Sequence, residues 1–261
     1  MRLALPRSLI RTLQRAVIEF DLLEQGDRVL VGLSGGKDST FLLYALTVFI
    51  KHLPFSVEIA ALTVDLGFKN KEQMEWDSLV KICDILNVSY QVQRAELAEL
   101  ILHHPTQNPC AQCAYFRRAI IHNYAQEHGF NKVAFAHHYD DAVETFLMSI
   151  LYSGQVSTFL PKTFLERTGV TVIRPLVYIR EKEIKAFIKK LGIEPLPSPC
   201  ALDGYTKRAE IKKLIKELQK VNKDVFAHLA AAMREGRRGQ RWPRELTKEE
   251  IRKKSQQFWF T

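Results

Sequence analysis

Short apolar strands alternate with helical segments along the first 200 of the 261 residues of this chain. Five such strands are predicted, and each is followed by a helix. This alternation indicates an α/β fold built from βαβ units around a buried parallel sheet. The predicted strands are residues 28–33, 57–65, 88–92, 132–136 and 170–173, and the helices are residues 40–51, 71–86, 112–128, 140–152 and 180–191.

Helical segments flank this alternation on both sides. An amphipathic helix is predicted over residues 7–24 and ends at Gly26, and charged helices are predicted over 206–221 and 223–235. We therefore expect a Rossmann-like, doubly wound, five-stranded parallel sheet with a helix before it and a helical extension after it. The expected units are an N-terminal helix (1–25), a central α/β domain (26–200) and a basic helical extension (201–261).

The net charge of +9 is unevenly distributed along the chain. Residues 206–261 contain 16 basic and 7 acidic side chains, whereas the first 205 residues are neutral overall. Such asymmetry suggests a polyanionic partner, although lysine-rich solvated helix faces would give the same count. No apolar run approaches the ~20 residues of a membrane helix, and the start lacks the pattern of a signal peptide. We expect a cytoplasmic protein without a membrane segment.

Residues 34–39, Ser-Gly-Gly-Lys-Asp-Ser, connect the first predicted strand to the helix after it. A glycine-rich turn at a helix N-terminus presents unpaired backbone N–H groups and binds anions. Asp38 is compatible with phosphates if Mg²⁺ bridges them. The spacing differs from a Walker A loop, and we interpret it as a nucleotide phosphate site rather than a simple capped turn. The predicted contacts are Leu33, Ser34, Gly35, Gly36, Lys37, Asp38, Ser39 and Thr40.

This hexapeptide resembles the signature of the PP-loop ATP pyrophosphatases. The resemblance implies that ATP is cleaved between its α- and β-phosphates, that AMP is transferred to a substrate oxygen, and that pyrophosphate leaves. It implies catalytic roles for Lys37 and Asp38, with Mg²⁺ near Asp38. Asp65, which follows the second predicted strand, matches a position at which that family contacts the nucleotide.

A second polar cluster, His-His-Tyr-Asp-Asp-Ala-Val-Glu-Thr at residues 137–145, follows the fourth predicted strand. Ligands bind at the carboxyl ends of parallel strands, and these side chains suit Mg²⁺ binding or a general base. A capping box built from Asp140 and Glu144 is the alternative. The cluster resembles the HHxDDxxET motif of PP-loop enzymes that modify tRNA. That resemblance implies nucleotide contacts at His137 and Asp140, and a catalytic, magnesium-binding role for Asp141.

The four cysteines fall into two groups. Cys83 lies within an apolar helix and is predicted to be a core residue. Cys110 and Cys113 begin a predicted helix, and Cys200 follows Pro199 in an irregular segment. A redox dithiol would need two of them, a structural zinc site normally needs four ligands, and an iron–sulfur cluster held by three thiolates leaves one iron open. The spacing alone does not choose between these sites.

A PP-loop, a CxxC at the head of a helix and a later Pro-Cys together resemble the tRNA 2-thiocytidine synthetases of the TtcA type. The resemblance covers roughly residues 10–235 and implies that Cys110, Cys113 and Cys200 hold a 4Fe-4S cluster. The family often has another cysteine three residues after the last of these. Here that position is Asp203; an approach to the fourth iron is one alternative, and we favour a turn residue before Gly204.

The same resemblance implies an ATP-dependent tRNA sulfurtransferase that adenylates a pyrimidine carbonyl, typically of a cytidine in the anticodon loop, and replaces its oxygen by sulfur. The sulfur donor is not specified, and a homodimer is compatible with the family. Basic residues would contact the tRNA phosphates. The predicted RNA contacts are Arg117, Arg118, Lys207 and Arg208.

Three other functions share part of these features. A tRNA lysidine synthetase would use both nucleotide motifs without the three cysteines. A ligase, or a PP-loop thiolation or desulfuration enzyme, acting on another base or on a small molecule could hold zinc at the cysteines. A non-enzymatic ATP sensor would have no use for the paired aspartates or the cysteines.

Overall fold

The computed structural model describes residues 3–68, 76–102, 109–196, 207–234, 247–250 and 252–253. Within these residues the strands are β1 (Arg28–Gly32), β2 (Glu58–Asp65), β3 (Ser89–Arg94), β4 (Lys132–Ala134), β5 (Lys162–Leu165) and β6 (Val170–Ile173). The helices are α1 (Arg7–Glu19), α2 (Lys37–Phe49, continued by a 3₁₀ turn at Ile50–His52), α3 (Asp77–Leu86), α4 (Ala98–Leu102), α5 (Pro109–Glu127), α6 (Tyr139–Ser153), α7 (Glu181–Leu191), α8 (Lys207–Val221) and α9 (Val225–Ala232).

The strands form one six-stranded sheet in the order β3-β2-β1-β4-β6-β5. The five predicted strands are β1, β2, β3, β4 and β6, and every pairing among them is parallel. β5 is an additional edge strand, antiparallel to β6. The α/β prediction is confirmed, with six strands instead of five. Because the strand order reverses between β1 and β4, a crevice is expected at the carboxyl ends of these two strands.

Helices cover both faces of the sheet. One core cluster joins α1, α2 and α7 to the sheet, with Leu13, Phe41 and Ile184 fully buried. A second cluster packs α4 and α5 on the opposite face and includes Ile101 and Ile121. α8 and α9 pack on α6 through a separate apolar cluster. Its buried members are Val143, Ile211, Ile215, Phe226 and Ala230. The helical extension is therefore attached to the helix that follows β4.

The N-terminal helix is shorter than predicted. It ends at Glu19 instead of residue 24, because the chain turns at Asp21, which has a positive φ of 49°, and the Leu22 N–H closes back on the Val17 carbonyl. Gly26, also at positive φ, lies beyond this turn and not at the helix end.

A buried ion pair fixes the amino end of the sheet. Asp27 and Lys132 are 1% and 2% exposed, and the Lys132 Nζ lies 2.6 Å from Asp27 Oδ2. The same carboxylate accepts hydrogen bonds from the Glu24 backbone N–H at 2.7 Å and the Asn131 side chain at 2.8 Å. These contacts tie the chain before β1 to the start of β4. None of the helices in the described ranges is both long and apolar enough to cross a membrane.

Candidate active site

The loop between β1 and α2 is held by its own serines. The Ser34 N–H donates to Ser39 Oγ at 3.1 Å, and Ser39 Oγ donates to the Gly36 carbonyl at 3.1 Å. Gly35 has a φ of +81°, and a Cβ there would lie 2.7 Å from Leu196 Cδ1. Only glycine satisfies both constraints. The first turn of α2 thus points its unpaired N–H groups at the crevice, which is the geometry expected of a phosphate site.

Lys37 is placed by two carboxylates. Its Nζ lies 2.8 Å from Asp38 Oδ2 and 3.1 Å from Glu181 Oε1 on α7. Burial alone would lower the pKa of Lys37, but the hydrogen bonds and charges of Asp38 and Glu181 raise it above its ordinary value. The amine is therefore a held cation at the mouth of the loop. Glu181 was not among the predicted site residues.

Asp38 has one oxygen without a partner. Its Oδ2 meets Lys37, whereas Oδ1 is buried and accepts no hydrogen bond from the described residues. His138 Nε2 lies 3.8 Å from this oxygen. A buried carboxylate oxygen without a donor has the chemistry of a ligand for a hard cation, so the residues present fit a magnesium–nucleotide complex.

The capping box predicted for α6 uses different residues. His138 is the N-cap, its Nδ1 accepting from the Asp141 N–H at 3.3 Å, and the Asp141 carboxylate accepts from the His138 N–H at 2.9 Å. The assignment to Asp140 and Glu144 is therefore wrong. The helix begins at Tyr139, which places Asp141, rather than Glu144, at the third helical position.

Asp140 joins α6 to α7. Its carboxylate accepts from Arg180 Nε at 3.1 Å and Arg180 Nη2 at 3.0 Å, and from the Glu181 N–H at 2.8 Å. Burial would raise the pKa of Asp140, but these hydrogen bonds hold it below its ordinary value. Its predicted nucleotide contact stays a prediction, and in this structure its carboxylate binds protein donors instead of lining the cavity described below.

Arg208 from α8 reaches into the site. Its Nη1 lies 3.2 Å from Asp141 Oδ1 and 3.5 Å from Glu144 Oε2, and its Nη2 donates to Thr145 Oγ1 at 3.1 Å. The side chain predicted to contact RNA is thus paired with the carboxylates of α6. Lys207, by contrast, is exposed, with its Nζ 4.8 Å from the centre of the Tyr152 ring.

A cavity of about 270 Å³ opens between the phosphate loop, the end of β2, the start of α6 and one face of α5. It brings together eight predicted residues: Leu33, Ser34, Asp38, Ser39, Arg117, Arg118, His137 and Asp141. It does not include Thr40, which is 1% exposed, or Asp65, whose Oδ1 instead accepts from the Gly67 N–H at 3.1 Å.

The wall opposite the phosphate loop is basic and aromatic. Arg117, Arg118, Phe135 and His137 line it, and Arg174 lies behind it, stacked 5.1 Å from the centre of the Phe159 ring. Burial and the charge of Arg174 lower the pKa of His137 to about 4. His137 is therefore neutral at pH 7. Arg174 directly follows the last predicted strand, and this position was the signal by which sequence reasoning could have found it.

Two of the predicted cluster cysteines lie at the start of α5, Cys110 in its first turn and Cys113 at its fifth residue. Cys110 is exposed, and Cys113 is half-buried against the second core cluster. Thiolates are favoured at a helix N-terminus, so the donor chemistry fits an iron–sulfur site. Cys200 and Asp203 lie outside the described residues. Cys83 is a core residue as predicted, and burial raises the pKa of its thiol to about 12.

Glu144 gives a test of the electrostatics beside the cavity. Burial and Asp141 raise its pKa from 4.5 to about 7, against the opposing effect of Lys212 and Arg208. A pKa that is higher in the folded chain favours the protonated acid, so stability falls as pH rises from 4.5 through 7. We expect Glu144→Gln to raise the unfolding free energy at pH 8 by about 2–3 kcal/mol, and to change it little at pH 4. Urea unfolding at both pH values measures this.

The exposed Glu217→Gln variant is the matched control for that experiment and should leave the pH dependence unchanged. Parallel pH profiles for wild type and Glu144→Gln would contradict the assignment of a raised pKa to this carboxyl.

Comparisons with known proteins agree with this geometry. The PP-loop domain family matches residues 7–218. The chain is 33% identical over 223 residues to a tRNA-cytidine(32) 2-sulfurtransferase of Geobacter metallireducens, covering 84% of this chain and 86% of that protein. A protein of the same name (number 1) from Francisella philomiragia is 34% identical, with 82% and 84% covered.

The structural comparison points the same way. The U34-tRNA thiolase NcsA from Methanococcus maripaludis, solved with its 4Fe-4S cluster, superposes with a TM-score of 0.70 at 25% identity, covering 86% of this chain and 77% of that one. The chain therefore belongs to the PP-loop family and, within it, to the family of the tRNA-cytidine(32) 2-sulfurtransferases.

Proposed function

We propose that this chain is an ATP-dependent tRNA sulfurtransferase that replaces the carbonyl oxygen of a pyrimidine, a cytidine in the anticodon loop, by sulfur. One observation carries the proposal. α5 bears Cys110 and Cys113 at its start and supplies Arg117 and Arg118 to the cavity wall that faces the phosphate loop. Cys113 and Arg117 are four residues apart and so share one face of the helix. The two thiols therefore lie about one and two helical turns from the arginines that line the cavity.

Adenylation is the first step in this proposal. The carbonyl oxygen of the base attacks the α-phosphorus of ATP, a new C–O–P linkage forms, and the bond to the β-phosphate oxygen breaks. Lys37 and the N–H groups of α2 stabilise the charge that develops on pyrophosphate. The neutral His137, beside Asp141, lines the place where the base would enter.

Sulfur transfer is the second step. Attack of sulfide sulfur on the activated ring carbon breaks the C–O bond, and AMP leaves with the oxygen. A 4Fe-4S cluster held by Cys110, Cys113 and Cys200 would supply the sulfur-transfer chemistry when bound. Arg117 and Arg118 would orient the RNA at the cavity wall.

We also propose how the chain is divided, what binds magnesium, what donates sulfur, and where and in what assembly the protein works. Residues 26–200 would form the ATP-binding catalytic unit and residues 201–261 the basic extension, with residues 1–25 as the leading helix. Mg²⁺ would be held by ATP phosphates together with Asp38 or Asp141. The sulfur donor would be a small sulfide source, the working location the cytoplasm, and the assembly a homodimer.

Nucleoside analysis tests the function directly. Purified tRNA lacking the modification, ATP, Mg²⁺ and sulfide are incubated with anaerobically prepared protein, and digested nucleosides are separated by mass. We expect 2-thiocytidine together with AMP and pyrophosphate. Formation of lysidine when lysine is supplied, with no thiolated base, would replace this proposal by the ligase alternative.

The cysteine variants give a second test. We expect Cys113→Ala to lose bound iron and sulfide and to lower thiolation by at least about 100-fold, because two thiolates cannot hold the cluster. ATP binding, which uses the phosphate loop, should remain. Cys83→Ala, in the core, is the matched control and should keep its iron. A Cys113→Ala protein that kept its iron and sulfide and thiolated tRNA at the wild-type level would refute the cluster assignment.

A further inference from the structure

A second cleft, of about 230 Å³, lies between α7 and α8, beside the catalytic cavity but separate from it. Lys182 and Lys185 line it from α7, and Lys212 and Lys216 line it from α8. On each helix the two lysines are three or four residues apart, so each pair projects from one face. The remaining lining residues are Asp140, Glu144, Arg180, Glu181, Ile215, Gln219 and Phe226.

The carboxylates in this cleft are occupied by other partners. Asp140 is held by Arg180, with the closest contact at 3.0 Å. Glu181 accepts from Lys37 at 3.1 Å, Lys185 at 3.0 Å and Lys212 at 2.6 Å. These acids therefore leave no spare negative charge to repel an anion.

Glu144, the third acid of the cleft, also leaves no spare negative charge to repel an anion. Glu144 is 4% exposed, and Arg208 lies 3.5 Å from its Oε2. Lys182 and Lys216, by contrast, are exposed and form no ion pair with any residue in the described ranges. The cleft therefore carries a net positive charge, and these two lysines are available to bind an anion.

We propose that this α7–α8 cleft binds the sugar–phosphate backbone of the RNA substrate. The inference rests on the proposed function, and it specifies where the RNA lies. Flexible lysines arranged as point charges suit phosphates read without sequence specificity. The cleft also shares Glu181 with Lys37, so RNA docked here lies next to the phosphate loop. We therefore assign the main phosphate contacts to Lys182 and Lys216 rather than to Arg208, which faces inward.

A salt series on the full chain tests the surface. Anisotropy of fluorescent tRNA is followed from 50 to about 300 mM KCl for wild type and Lys182→Ala/Lys216→Ala. We expect about tenfold weaker binding near 150 mM and a slope of log K against log salt that is smaller by about 2, one for each lost phosphate contact. The KM for ATP should be unchanged, because neither lysine contacts the phosphate loop.

Lys189→Ala/Lys190→Ala is the matched control, since it removes the same charge from exposed positions of α7 that do not line the cleft. An equal loss of tRNA affinity in both double variants would overturn the proposed RNA-binding cleft, because the loss would then reflect only the net charge of the protein. If Lys182→Ala/Lys216→Ala bound tRNA with wild-type affinity, the RNA would bind elsewhere on the protein. An acidic protein would then be the next ligand to test for this cleft. No tRNA binding by wild type, with intact ATP binding, would refute the proposed function itself.

Discussion

Replacing Lys37 by methionine should slow adenylation by about 100- to 1000-fold, the cost of losing one preorganised group that stabilises transition-state charge. Lys37 begins α2, and its amine is held 2.8 Å from Asp38 and 3.1 Å from Glu181. Methionine keeps the length and apolar contacts of the stem, so the change isolates the ammonium group. Pyrophosphate release in a single turnover with tRNA measures the effect.

Lys51→Met is the control for that experiment. Lys51 is exposed in the 3₁₀ turn at the opposite end of the same helix, so its loss should change the rate less than twofold. ATP affinity measured by calorimetry separates binding from chemistry. A Lys37→Met protein that releases pyrophosphate at the wild-type rate would mean that the backbone N–H groups alone stabilise the leaving group.

Asp27→Ala should lower the free energy of unfolding by about 3–5 kcal/mol. The substitution removes the acceptor of three hydrogen bonds and leaves the Lys132 ammonium, 2% exposed, without its closest partner. Glu24, 3.0 Å from Lys132 but itself largely exposed, compensates only in part. Urea unfolding followed by circular dichroism measures the loss.

Glu58→Gln provides the contrast, because Glu58 pairs with Arg28 at 2.8 Å on the surface. Exposed pairs contribute about 0–1 kcal/mol, so this variant should unfold almost as wild type does. If both variants lost the same stability, the buried pair would have no special role at the amino end of the sheet.

Four of the five strands predicted from sequence, β1, β2, β4 and β6, have buried side chains along most of their length. β3 has none, but its predicted segment, residues 88–92, alternates apolar and polar residues. Val29–Val31 and Val133 are fully buried, and their continuous apolar runs are typical of central parallel strands. β5 was missed because its four residues lie at the sheet edge and none of them is buried, with Phe164 62% exposed. A strand of that kind carries no apolar pattern for sequence reasoning to detect.

The site residues also divide into those that could be predicted from sequence and those that could not. The phosphate loop and the 137–145 cluster could be predicted because the residues that act together are adjacent in the chain. Lys37 and Glu181, however, are 144 positions apart and meet only because α7 packs beside α2. The register of α6 was also missed, since a histidine N-cap is uncommon and the two aspartates gave a stronger capping signal.

Glu181 lies between the phosphate loop and the α7–α8 cleft. Its carboxylate accepts hydrogen bonds from Lys37 on α2, Lys185 on α7 and Lys212 on α8, so it is shared by the phosphate loop and the α7–α8 cleft. Any ligand that changes these contacts at one place would change the affinity at the other. By reciprocity, the factor by which ATP alters RNA affinity equals the factor by which RNA alters ATP affinity.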